Sequence, residues 1–222
     1  MDTALVKRES YYERALVWLK LLYGATGLLL ALVGLARHSA YNLLVSLGTL
    51  LVLPLLKGAW RLLRWERAAQ MEFYILLFLY LSFSLGGAAE LYILLPGFDK
   101  AVHFLSGAFV SMLALALYLG LERGRPRSAQ RPATAVLFVL FASMAVAGLF
   151  ELCEYALSPI VGRDLQHVVT TGVADTMGDM LVCLLGTLAF LPFIPRYFRG
   201  IIGPLTGAVQ AFVEKSLHNG EV

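Results

Sequence analysis

Charge is what this chain of 222 residues has least of: Lys, Arg, Asp and Glu make up 15% of it, against 59% hydrophobic residues. A soluble domain carries roughly a quarter charged residues, so a water-soluble fold of this length would lack the polar surface to cover itself. Cysteine is nearly as scarce. Cys153 and Cys183 are the full complement, both within apolar runs, so a disulfide framework is not indicated and two buried free thiols are expected. Long polar stretches are missing as well: outside the apolar runs the largest pieces are 1–14, 57–72 and 196–222, too little for a separate soluble domain. No short apolar stretch with a small-residue cleavage site precedes the first run, so no removable signal peptide is expected and the first span serves as its own insertion signal. The chain also has no G-x-x-x-x-G-K-[ST] phosphate loop, G-x-S-x-G elbow, H-E-x-x-H helix or C-x-x-C pair. Ser106 and Ser158 have no nucleophile motif around them.

What is present is apolar length. Mean hydropathy is +0.74, and six runs of the length needed to cross a bilayer can be marked at about 15–36, 40–56, 73–95, 101–121, 134–158 and 170–194. The expected fold is therefore all-α, a polytopic membrane helical bundle in one integral membrane domain spanning 1–222. The net charge of +3 does not point to nucleic acid, because the basic residues follow the membrane instead. Lys7, Arg8, Arg14 and Lys20, then Lys57, Arg61, Arg64 and Arg67, then Arg123, Arg125, Arg127 and Arg131, then Arg196, Arg199 and Lys215 alternate with connections that hold Arg37, Lys100 and Arg163 singly. Positive residues of short loops stay in the cytoplasm, which puts both termini there. Two amphipathic segments, 57–70 and 199–217, are expected along that face. The first interleaves Trp60, Leu63 and Trp65 with arginines, and the second repeats Leu205, Ala208, Val209 and Phe212 at helical spacing.

The acids and histidines gather at the opposite face. At a rise of about 1.5 Å per residue, Glu90, His103, Glu151 and Asp179 come out roughly 25 to 29 Å from the cytoplasmic boundary, with Asp99, Glu154 and Asp175 a turn beyond. His38, Asp164 and His167 fall in the outer connections. Residues three or four apart share a helix face, which pairs Asp99 with His103, Glu151 with Glu154, and Asp175 with Asp179. So many carboxylates in one layer would repel and take up protons, and a divalent metal ion relieves that. Asp99, His103, Glu151, Glu154, Asp175 and Asp179 form the expected ligand set, since carboxylate-rich metal sites in bundles are built from facing helices and ionisable residues inside a membrane are functional candidates by default. Simpler roles stand beside this one. Asp99, Glu154 and Asp164 also suit polar helix ends, Asp99 an N-cap, and His103 a hydrogen-bonded core histidine. Gly148, Gly178, Gly107 and the GGAA before Glu90 are expected to draw the acidic faces together.

DKAVHF at 99–104 resembles the D-K-x-x-H-F opening of the VanZ-like superfamily. ELCEYALSPIVGRD followed by DTMGDMLVCLLGT resembles its second half: E-x-x-Q, an Arg, then D-x-x-x-N and a closing Gly. The resemblance covers about 95–190 and matches Asp99, Lys100, His103, Glu151, Asp175 and Gly186. Glu154 and Asp179 stand where the family has Gln and Asn, and extra residues separate Arg163 from Asp175, a pattern similar to the YjdF-type six-span branch. It implies a multi-pass protein of a bacterial inner membrane and brings no established reaction.

The layer itself points to chemistry on a lipid-linked or envelope substrate. A bound cation lowers the pKa of water and polarises phosphoryl oxygens, giving a hydrolase or transferase in which His103, Glu151 and Asp179 act catalytically. Lys100, Arg163, His167 and Glu90 then hold the substrate. The alternatives are cation- or proton-linked binding or transport, and a non-catalytic resistance factor of the envelope. An inner half almost free of charge, with Lys20 alone intruding, disfavours a through-path. Membrane lipid is the one partner the sequence names, and the oligomeric state is open.

Overall fold

The computed structural model describes residues 3–122, 129–166 and 168–218. Among these the chain is helical, with no strand. Six helices are long and apolar enough to cross a membrane: Lys7–Ala36, Ala40–Leu62, Ala69–Ala88, Phe98–Leu121, Pro132–Val161 and Ala174–Phe198. The six apolar runs are thus six helices. Their faces leave Leu28, Leu44, Phe141 and Leu181 exposed, the surface expected where lipid rather than water is the solvent. His167, and Arg123, Arg125 and Arg127 on which the expected topology partly rests, lie outside the described residues. By its contacts the chain forms two compact units, Met1–Asp99 with Gly207–Val222, and Lys100–Thr206.

In the first unit, α1 (Thr3–Ala36) and α2 (Ala40–Leu62) are joined by a three-residue connection. His38 takes the left-handed conformation at φ 52 there, and the Ser39 hydroxyl accepts the Asn42 backbone N–H at 3.3 Å as the N-cap of α2. The helices approach closely at Gly34, where an added Cβ would come 2.8 Å from the Leu43 nitrogen. Leu16, Leu19, Tyr23, Leu76 and Tyr80 form the core, with Leu53 and Phe73 packed on it.

The third span, α3 (Ala69–Leu79), starts without a cap of its own. Glu9 supplies one from α1: its carboxylate accepts the Ala69 and Gln70 N–H groups at 3.1 and 3.0 Å, where the helix dipole favours an anion. Lys215 of the C-terminal helix closes on the same carboxylate at 2.6 Å. Lys20 pairs with Glu72 at 2.6 Å, and Arg67 reaches the other Glu72 oxygen at 3.0 Å. Burial lowers the pKa of the Arg67 guanidinium, and its hydrogen bond to Glu13 together with the Glu72 and Glu13 charges outweighs this and raises it.

Two expected boundaries are corrected. The run 73–95 is not one regular helix. After Leu79 it widens into a π-helical segment, Tyr80–Ala88, breaks at Glu90 with φ 60, and resumes as α4 (Leu91–Leu94). Gly86 and Gly87 are poor α-helix formers, and the Tyr92 ring folds back over Gly86, where a Cβ would overlap it. Likewise, 57–70 is no separate surface helix. Residues 57–62 continue α2, 63–68 turn, with Arg64 at φ 53, and Ala69 opens α3. Trp60, in the last turn of α2, and Trp65, in the turn after it, both pack on Phe212, with ring centroids 5.9 and 5.2 Å away. The tail segment is helical as its periodicity implies, Pro204–His218, and buries Ala208, Val209 and Phe212.

The second unit contains α5 (Phe98–Leu121) from Lys100 onward, α6 (Pro132–Val161), α7 (Val168–Thr171), α8 (Ala174–Phe190) and α9 (Phe193–Phe198). Pro132 opens α6 at N1 and Gly162 closes it in the left-handed conformation, φ 68. Asp164 accepts the Val168 and Val169 N–H groups at 2.9 and 2.8 Å, so it serves α7 as a cap. The closest packing is between α5 and α8. A Cβ on Gly107 would overlap the Cys183 carbonyl oxygen and come 2.8 Å from the Thr187 nitrogen; one on Gly186 would overlap the Phe104 carbonyl oxygen. The two backbones touch, the contact that small residues permit in lipid. Nearby, buried Ser143 of α6 hydrogen-bonds Thr187 at 2.7 Å.

Candidate functional site: an acid, histidine and lysine cluster

Backbone contact at Gly107 and Gly186 fixes what meets one and two turns earlier on α5 and two and three turns earlier on α8. Lys100 and His103 on α5 come against Asp175 and Asp179 on α8. Lys100 Nζ donates to Asp175 Oδ1 at 2.6 Å and Asp179 Oδ1 at 2.7 Å, so one ammonium bridges the pair whose spacing placed them on one helix face. The Asp179 side chain is 5% exposed and that of His103 12%, against 36% for Lys100. His103 Nε2 lies 3.7 Å from the same Asp179 oxygen. Asp99, in the first turn of α5, completes the arrangement: one ligand atom each from Asp99, His103 and Asp179 lies within 4.8 Å of the others. Two carboxylates and an imidazole at that separation are placed to hold a metal ion.

The far side of the imidazole is packed by groups the sequence did not single out as a set. The Phe150 ring meets His103 edge-on, centroids 5.9 Å apart. Cys183 Sγ lies 3.7 Å from His103 Nδ1 and donates to the His103 carbonyl oxygen at 3.2 Å, while Ser106 Oγ approaches Cys183 Sγ at 3.1 Å. Cys183 is the buried thiol that was expected. Cys153 is not: it is exposed on α6 beside the exposed Leu152, two residues and more than half a turn from the buried Glu151.

The remaining expected residues are arranged differently. Glu151 is buried, and Gln166 donates to both its backbone oxygen, at 3.1 Å, and its Oε2, at 3.2 Å. Glu151 and Glu154 stand outside the Asp99, His103 and Asp179 group. Asp175 joins it only through Lys100. Arg163 is half-buried after the Gly162 turn, Glu90 sits at the left-handed break of the other unit, and His167 is outside the described residues. Gly148 does not draw helices together, since a Cβ there would meet nothing within 4 Å, and at Gly178 the nearest atom would be Lys100 Cε at an ordinary 3.6 Å. The residues that sequence reasoning underweighted are Lys100, assigned to substrate yet central to the ion pairs, and Gly186. The signal for Lys100 was available, as one cation at the depth of two carboxylates.

A helical bundle with six membrane-crossing segments, an ion-paired acidic centre and a histidine defines a multi-pass membrane protein with a polar site set among its apolar spans. The family comparison agrees: the chain belongs to the DUF2238 family, described as predicted membrane proteins, whose model matches residues 18–200. No curated protein and no solved structure matches it.

Proposed function

We propose that this chain is a single integral membrane domain of a bacterial inner membrane, a VanZ-like protein of the YjdF type with both termini in the cytoplasm. In this reading it uses a divalent cation at its extracytoplasmic side to hydrolyse or transfer a lipid-linked ester or phosphate. The observation that carries the reading is the gathering of Asp99, His103 and Asp179 ligand atoms within 4.8 Å of one another on the outer side assigned by the basic residues. A cation held there lowers the pKa of a bound water and polarises a phosphoryl or carbonyl oxygen. With a cation held by Asp179, Lys100 would keep Asp175 as its partner and have donors left for an anionic headgroup. His103 is the base or imidazole ligand of the set, Glu151, whose Oε2 accepts from Gln166, is a further catalytic carboxylate, and Arg163 joins Lys100 in holding the substrate.

A second reading rests on Lys100 itself. Its bonds to both aspartates offset one of their two negative charges without any metal, which suits a site that binds a cation or proton by exchanging it against the lysine, or a non-catalytic envelope factor. Metal analysis of the purified protein separates the two. The proposal expects about one divalent ion per chain, lost when Asp179→Ala is combined with His103→Ala. Wild-type protein that carries no metal, and whose melting temperature does not respond to zinc, manganese, magnesium or calcium, overturns the metal-dependent reading and leaves the metal-free one.

A further inference from the structure

The first unit holds a cavity of about 610 Å³ in which Lys20, Lys57, Arg61 and Arg67 line the wall with Glu72 as the one carboxylate. Four cations against one anion leave three positive charges in excess. Two of the cations are already matched, Lys20 by Glu72 and Arg67 by Glu72 and Glu13. Lys57 and Arg61 have no carboxylate within salt-bridge distance among the described residues, although both line the same space. Side chains of like charge repel when brought together, and Lys57 and Arg61 are exposed, so an anion that reaches this wall meets two cations that no carboxylate has matched.

The rest of the lining says what kind of anion fits. Trp60 and Trp65 line the cavity together with Leu53 and Pro54, which belong to the apolar length of α2, whereas Lys57 and Arg61 stand one and two turns further along it. Tryptophans beside arginines and lysines at the end of a membrane helix mark the headgroup level. Both tryptophans are braced by Phe212 of the C-terminal helix, so the aromatic wall is fixed in place.

We propose that this cavity binds the phosphate group of an anionic membrane lipid, with Lys57 and Arg61 as its principal contacts and Leu53 and Pro54 lying along the start of the acyl chains. Arginine pairs with phosphate through two parallel donors, and basic residues at a membrane boundary draw anionic lipid. The site is separate from the acid and histidine cluster, and its failure would leave that cluster untouched.

Native mass spectrometry of the full chain, released from detergent with added phosphatidylglycerol, phosphatidylcholine or inorganic phosphate, tests it. Retained phosphatidylglycerol is expected, with phosphatidylcholine weaker. Lys57→Gln combined with Arg61→Gln is expected to weaken phosphatidylglycerol binding about 30-fold. Arg14→Gln combined with Arg64→Gln, which removes as much charge outside the cavity, is expected to leave it within about twofold. Equal loss in both pairs overturns the proposal in favour of general surface charge. Inorganic phosphate that binds as tightly as phosphatidylglycerol, and is lost in the Lys57 and Arg61 pair, overturns the lipid as its source.

Discussion

Replacing Gly186 by leucine is expected to lower the melting temperature of the detergent-solubilised protein by roughly 6 to 12 °C, and Gly107→Leu by a similar amount. At each position the first added carbon already overlaps a carbonyl oxygen of the facing helix, and backbone cannot rotate aside as a flexible side chain can. The helices must separate, and overpacking of this kind costs about 3 kcal/mol, which at roughly 2 to 4 °C per kcal/mol for a chain of this size gives that range. Gly148→Ala is the matched control. Nothing lies within 4 Å of its Cβ position, so a helix interior that loses a glycine should gain about 0.5 to 1 kcal/mol. Both variants can be read by a thermal-shift measurement of the same preparation. If Gly186→Leu and Gly148→Ala melt together, the crossing of α5 and α8 is not as described.

The second large effect is expected at Lys100. In Lys100→Met, Asp175 and Asp179 lose the cation that both of them contact, and the Asp179 side chain, 5% exposed, has little water to turn to. Removing one partner from a buried ion pair destabilises by about 3 to 5 kcal/mol. Because the lysine side chain is itself 36% exposed, about 3 kcal/mol is the better expectation, or roughly 6 to 12 °C. The sign of the metal response is the informative part. With the ammonium gone, a divalent cation no longer has to compete with it for the two carboxylates, so saturating metal should restore stability to Lys100→Met more than it adds to the wild type. Asp179→Asn, which removes a ligand and a charge together, should show no such recovery. Equal metal responses in all three proteins would separate Lys100 from the metal question altogether.

Much of this was legible in the sequence, for reasons that differ by element. The six spans could be read because twenty apolar residues in a row have few alternatives to a membrane helix, and the pairing of Asp175 with Asp179 because four residues is close to one turn. The π-helical widening at Tyr80–Ala88 was not legible. Hydropathy reports how much apolar length is present and is blind to how the backbone winds, so Glu90 was carried to the wrong kind of position by a constant rise per residue. The role of 57–62 as the end of α2 was missed for a related reason: tryptophans among arginines look alike on a surface helix and at the end of a span.

Glycines show the same limit more sharply. Gly148 and Gly107 look equivalent in the sequence, each a few residues from an ionisable side chain. Their difference lies entirely in what the other helix brings to that point, open space in one case and the Cys183 carbonyl in the other. The ligand set behaves likewise. Helical spacing identifies which residues share a face, but not how each face is turned about its own axis. Asp99, His103 and Asp179 converge, whereas buried Glu151 turns to Gln166.

The central claim is that α5 and α8 meet in one register, with Lys100 and His103 facing Asp175 and Asp179. Ser106→Cys in a Cys153→Ser background measures that register directly, because Ser106 Oγ lies 3.1 Å from Cys183 Sγ and two sulfurs there need only a small side-chain rotation to reach bonding distance. After mild oxidation in the membrane, denaturation and alkylation, the account predicts an intramolecular disulfide, seen as the loss of two hydrogens and of both alkylation sites. Quantitative alkylation of both thiols, with the protein folded before denaturation, would contradict it.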